Sequence, residues 1–115
     1  MAGLKIADAL SVEPRKVTTE GAEKATIRWL ISQQDGAERF HLRLFELEPG
    51  GKTPLHTHEW EHEVFILKGS GTLIFEGKEH AFTDGQFILV PEGTEHSFLN
   101  TGEGNLQFLC IVPAK

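Results

Sequence analysis

Histidine supplies the residues of this chain best suited to chemistry, and four of its six histidines fall in two short segments. His56, His58 and His62 stand in Gly50-Gly51-Lys52-Thr53-Pro54-Leu55-His56-Thr57-His58-Glu59-Trp60-Glu61-His62-Glu63, and His96 ends Pro91-Glu92-Gly93-Thr94-Glu95-His96. Imidazole suits zinc, copper, iron and nickel, so ligand type alone does not name a metal. In an extended strand, residues two apart face the same way, which predicts His56 and His58 side by side with Thr57 turned away. A strand starting near His62 and a distant one carrying His96 complete a shell for one divalent transition ion if the fold turns both inward. Four neutral imidazoles leave the ion's 2+ charge uncompensated, which eases proton loss from bound water and hinders the 3+ state. Two positions of an octahedral shell stay open for a substrate or dioxygen. His41 and His80 match nothing in this pattern and read as solvated.

Other residues around these segments have possible roles. Phe98 lies two beyond His96 and is expected to share its inward face, while Asn100 is expected to stabilise the following turn. Phe108 and Cys110 are candidates to line a cavity, with plain packing the alternative for the cysteine. His41 and Arg43 alternate with Leu42 and Leu44, so one could anchor an anionic substrate; a solvated face is the other reading. Trp60 is expected to pack beside the histidines. Pro49-Gly50-Gly51 reads as a turn without a chemical role.

The elements that must position these residues are strands. Turn signals recur at short intervals: Asp35-Gly36, Pro49-Gly50-Gly51, Gly69-Ser70-Gly71, Glu76-Gly77-Lys78, Asp84-Gly85, Pro91-Glu92-Gly93 and Thr101-Gly102-Glu103-Gly104. Between them, Thr26–Ser32, Phe40–Glu48, Val64–Lys68, Thr72–Phe75, Phe87–Val90, His96–Asn100 and Leu106–Val112 are rich in β-branched and aromatic residues and too short for typical helices. Ile27, Trp29 and Ile31 alternate with Thr26, Arg28 and Leu30 in the period of a strand. Gly71 to Phe82 reads as a hairpin about Glu-Gly-Lys. Near the start, Ala2–Leu10 has the pattern of a brief helical turn ended by Glu13-Pro14, and Lys16–Thr19 begins a first strand. The reading is all-β and single-domain: residues 1–20 an arm contributing a first strand, 21–115 the β-barrel domain.

With 115 residues, 39% of them hydrophobic and eight of them Phe, the chain supports one core. A net charge of −6 without basic clusters argues against nucleic acid. No apolar run approaches the roughly 20 residues of a membrane helix, and no signal peptide is recognised, so the expected location is cytoplasmic with no membrane partner. One cysteine excludes an internal disulfide and a thiolate zinc cluster.

Gly50-x5-His56-x-His58-x4-Glu63 followed by Gly69 resembles the first motif of the cupin family, with the last spacer one residue short. Gly85-x5-Pro91-x-Gly93-x2-His96-x3-Asn100 resembles the second. The resemblance covers Phe40 to Val112 and implies a jelly-roll β-barrel, or double-stranded β-helix. It also implies a metal held by both histidines of the first motif, its glutamate and the histidine of the second. Glu63 fits the longer permitted spacer and His62 the shorter, and strand parity lets only one of the two point inward. The run from His56 to Phe65, with Phe108 to Pro113, is similar to small cupins that replace the glutamate with histidine and carry manganese. The expected ligands are therefore His56, His58, His62 and His96, with Glu63 the alternative, and manganese is favoured over iron, nickel, zinc or copper. The resemblance further implies an oxidative, dioxygenase-like activity on a small organic substrate. The alternatives are a metal-dependent isomerase or lyase, for which Glu59, Glu61 or Glu63 would be the base, and a non-catalytic binding module. Pairing into a homodimer is expected, because an open-edged small barrel gains by covering an edge or apolar face.

Overall fold

Each apolar segment between turn signals becomes a strand in the computed structural model, which describes residues 3–114. In chain order the strands are β1 (Arg15–Lys16), β2 (Glu23–Ile31), β3 (Phe40–Lys52), β4 (His62–Lys68), β5 (Ser70–Phe75), β6 (Lys78–Thr83), β7 (Phe87–Val90), β8 (His96–Leu99) and β9 (Leu106–Pro113). Helical content among the described residues is two 3-10 pieces, Ala9–Ser11 and Gln33–Asp35. The first lies at the end of the turn expected over Ala2–Leu10, and is closed by Ser11 N and Oγ donating to the Asp8 carbonyl. Ala2, where that turn was placed, and Lys115, the last residue of the expected barrel domain, lie outside the described residues.

Every ladder is antiparallel, in the order β6-β5-β8-β3-β9-β4-β7, with β2 on β3 and β1 on β2. The sheet curls into a jelly-roll half-barrel whose concave side holds the core. Along β4 and β9 inward and outward residues alternate: His62, Val64 and Ile66 face in, as do Leu106, Phe108, Cys110 and Val112. Leu47, Ile66, Val90, Leu106 and Phe108 are fully buried, each stabilising the fold by about 1.5–3 kcal/mol. On the convex side of β4 and β7, Phe65, Phe87 and Leu89 are exposed.

Two local features set the curl. The β5–β6 hairpin closes through Glu76 and Gly77, both at positive φ (50° and 79°), the two-residue turn that suits twisted strands. The second feature corrects the sequence reading: Pro49-Gly50-Gly51 is a corner inside β3 and not a turn between strands. Gly50 has φ of 83°, and a Cβ on Gly51 would sit 2.8–2.9 Å from three carbonyl oxygens. Here β3 leaves β9, which it pairs through Leu47↔Leu106, and reaches β8 at Lys52↔Leu99.

The alternation in β2 is also only partly kept. A register shift between Trp29 and Ile31 turns Ile31 away from the face of Ile27 and Trp29, and it borders a small groove with Leu30, Leu42 and Val12. Arg28 Nε donates to the Val12 carbonyl at 2.9 Å, so the N-terminal segment covers this outer side of β2 and β3.

Candidate metal centre

Past the β3 corner the chain runs along β8 without forming a regular ladder. Thr53 N donates to Phe98 O (2.9 Å), Phe98 N donates to Thr53 Oγ1 (2.9 Å) and Ser97 Oγ donates to Thr53 O (2.6 Å). His56 and His96 exchange both backbone bonds (3.1 and 3.0 Å), and Gly93 N donates to His58 O at 2.6 Å. The expectation of a strand through His56 and His58 is therefore corrected: His56 makes one isolated bridge and His58 lies outside every ladder. Pro54 has no N–H, which removes a ladder donor where a strand would continue. The rings are still side by side, with centroids 4.1 Å apart, because the segment is clamped to Phe98, His96 and Gly93.

His56, His58 and His96 are positioned to hold a metal ion, each offering a ligand atom within 4.8 Å of the others. His62, the first residue of β4, is buried, with its ring centroid 4.6 Å from that of His58 and 5.1 Å from that of His96. Glu63 alternates to the convex side and is exposed. Glu59 and Glu61 are exposed too. None of the three borders the cavity that the histidines face, so none sits where a general base must.

The hydrogen bonds orient the rings. Thr94 O can only accept, so His96 Nδ1 is the donor in their 3.0 Å contact and Nε2 keeps its lone pair. His62 Nδ1 lies 3.0 Å from Cys110 Sγ, and Arg43 Nη2 donates to the same sulfur at 2.9 Å. The Nε2 atoms of His58 and His62 are buried without a partner. Burial, then the neighbouring imidazoles and Arg43, push His62 down to about 3 and His58 down to about 4. His56 is lowered by burial, then by His96 and Arg43. All three are thus neutral near pH 7, the form that binds a metal.

These shifts carry a sign. Folded values below the ordinary 6.5 mean that the unfolded chain takes up protons first as pH falls. Stability of the metal-free protein is expected to be flat above pH 6.5 and to fall steadily from 6.5 toward 4. Urea midpoints at pH 7.5, 6.5, 5.5 and 4.5 measure this; a midpoint constant from 6.5 to 4.5 contradicts it.

A cavity of about 480 Å3 opens above the four rings. Phe98, Phe108 and Cys110 border it, and Trp60 stacks on His58 at 4.7 Å. Asn100 turns away, donating to Leu47 O and Gly104 O at 2.8 Å and accepting from Gly102 N at 3.0 Å, so it fastens the β8–β9 turn to β3. His41 and Arg43 overturn the solvated reading, since both border the cavity and His41 Nε2 and Arg43 Nε are buried without partners. His80 is exposed on β6 beside Phe75.

Comparison with known proteins places these features in context. The cupin domain family profile matches residues 43–112. An oxalate-binding protein of Thermotoga maritima is 30% identical over 105 residues, covering 88% of this chain and 87% of that protein. A 1-methylthio-D-xylulose 5-phosphate methylsulfurylase of Rhodospirillum rubrum is 35% identical over 74 residues, 64% of this chain, which spans about half (47%) of that relative. Among solved structures, the polyketide cyclase RemF of Streptomyces resistomycificus superposes with a TM-score of 0.93 at 36% identity, covering 98% of this chain and 81% of the cyclase.

Proposed function

Since the chain belongs to the cupin domain family, we propose that it is a metal-dependent enzyme whose single divalent transition ion acts as a Lewis acid on a small oxygen-bearing organic substrate in the cavity. His56, His58 and His96 hold the ion, with His62 as fourth ligand. The observation that carries this reading is the pair of buried, unpartnered Nε2 atoms on His58 and His62. A buried polar atom left unsatisfied costs about 1–3 kcal/mol, and an ion held among these histidines would satisfy both. When bound, the ion would polarise a carbonyl or hydroxyl oxygen and stabilise the charge developing there.

The chain's own residues supply the rest. Phe98, Phe108 and Trp60 form apolar wall and limit water. Among the described residues no Asp or Glu borders the cavity, and His41, with its Nε2 buried, is the proposed proton carrier. Likeness to a polyketide cyclase over 98% of the chain supports an enzymatic role on a small organic substrate. In the oxidative, dioxygenase-like alternative, the ion that His56, His58, His62 and His96 would hold would instead activate dioxygen or a peroxide. A non-catalytic binding module is supported by the oxalate-binding relative. A second copy of the chain is the proposed cover for Phe65, Phe87 and Leu89.

Elemental analysis of protein purified without added metal, as wild type, His62→Ala and Glu63→Ala, tests the ligand set. Stoichiometric metal, with manganese the expected ion, is expected in wild type and Glu63→Ala and absent in His62→Ala. Loss in Glu63→Ala alone would return the ligand role to the carboxylate. With loaded protein, deuterium exchange into a 1,3-diketone without oxidant is expected. Oxygen uptake without exchange favours the oxidative reading, and binding with neither favours the module.

Cys110 is a positioning residue in this scheme, since an N–H on His62 Nδ1 pointed at Sγ leaves Nε2 free for the ion. Cys110→Ala is expected to weaken metal binding about 10–100-fold, with Cys110→Ser recovering part of the loss. Competition against a chromogenic chelator reads both; equal affinity in wild type and Cys110→Ala rules the role out.

A further inference from the structure

The cavity carries a charge opposite to that of the protein. The chain has a formal charge of −6, yet among the described residues the charged side chains bordering the cavity are Lys16 and Arg43, with no Asp or Glu. Arg43 is the more telling. Its guanidinium lies 5.1 Å from the Phe45 ring centroid and 5.6 Å from that of Trp29. Among the described residues its one side-chain hydrogen bond goes to Cys110 Sγ, a weak acceptor, and its Nε is buried without a partner. Among the described residues, none of the ion pairs includes Arg43. Aromatic faces soften the burial of a cation but do not neutralise it. A metal ion below would add positive charge.

We propose that the cavity selects small organic anions with a flat or apolar body, and that Arg43 is the specificity-determining residue that pairs with the ligand's carboxylate or comparable acidic oxygen. This deepens the proposed function, because it takes the cavity above the histidines as the substrate site. Arg43 offers the fork of donors that matches a carboxylate. His41, two residues along β3 on the same side, also borders the cavity, with its Nε2 buried. Phe45, Trp29 and Ile27 supply the surface for the body of the ligand.

Benzoate and benzamide share a shape and differ in charge, and the chain's two tryptophans, Trp29 and Trp60, both border the cavity and report binding by fluorescence. Titrations by fluorescence and calorimetry use wild type, Arg43→Gln and Arg43→Lys, each free of metal and loaded with zinc. In metal-free wild type, benzoate is expected to bind at least tenfold more tightly than benzamide. Arg43→Gln is expected to abolish the difference and Arg43→Lys to keep part of it. Equal affinities in wild type, no detectable benzoate binding, or a preference unchanged in Arg43→Gln overturns the proposal. So does a preference seen only with zinc and indifferent to Arg43, which assigns the anion to the ion. The wild-type comparison needs no variant to fold, and thermal melts check those that are used. A benzoate preference in protein that takes up no metal removes the proposed function and leaves this inference standing; bound metal without the preference does the reverse.

Discussion

Replacing His96 by alanine is expected to abolish metal retention, with an affinity loss beyond the about 10–100-fold typical of groups that merely orient ligands. His96 is central: its ring centroid lies 5.3 Å from those of His56 and His58 and 5.1 Å from that of His62. With its Nδ1 committed to Thr94 O, its Nε2 is the ring atom free to bind an ion from the β8 side of the cavity. The variant keeps the backbone bonds between His56 and His96, because those involve N–H and C=O alone. The loss should therefore be selective for metal and not a by-product of unfolding. Calorimetric titration with manganese or zinc, beside a urea denaturation curve, separates the two, and His80→Ala serves as the neutral control because His80 is exposed on β6. Affinity within tenfold of wild type in His96→Ala would mean that the other imidazoles form the site without it.

The strands were legible because each is a short apolar run between turn residues, and Gly77 marks the β5–β6 hairpin in the sequence itself. What holds His56 and His58 together was not. Strand parity presupposes a ladder, whereas the segment is held by Thr53, His56 and His58 bonding to Phe98, His96 and Gly93, contacts between residues some 35 to 45 positions apart. Parity did discriminate where a regular strand exists, turning His62 inward and Glu63 outward on β4. Arg43 and His41 stayed open between an anion anchor and a solvated face for a different reason. Alternation separates the two faces of β3, but it cannot say which one lines a cavity when both are covered. Leu44 is 2% exposed on one face while Arg43 and Phe45 border the cavity on the other. Alternation with Leu42 and Leu44 therefore left the face of His41 and Arg43 undecided between cavity and solvent. The signal available was that Phe45 and Leu47 share the parity of His41 and Arg43.

The same aromatic packing that closes the cavity makes the second large effect predictable. Phe108 is 1% exposed and sits between two other rings, Phe45 at 5.3 Å and Phe98 at 4.8 Å, both stacked. These rings come from β9, β3 and β8, so Phe108 joins the strand carrying Arg43 to the strand carrying His96. Truncation removes its burial and leaves a void, and Phe108→Ala is expected to cost about 3–5 kcal/mol. For a domain of this size that corresponds to a fall in Tm of roughly 10–20 °C. Because Phe108 also borders the cavity, the void can merge with it, so an added apolar ligand should raise the stability of Phe108→Ala by more than that of wild type. Phe108→Leu, which keeps most of the volume, should lose less and show no such rescue. A cost below about 1 kcal/mol in Phe108→Ala would mean that neighbouring side chains collapse into the space, and the three strands would then be held together without the aromatic column.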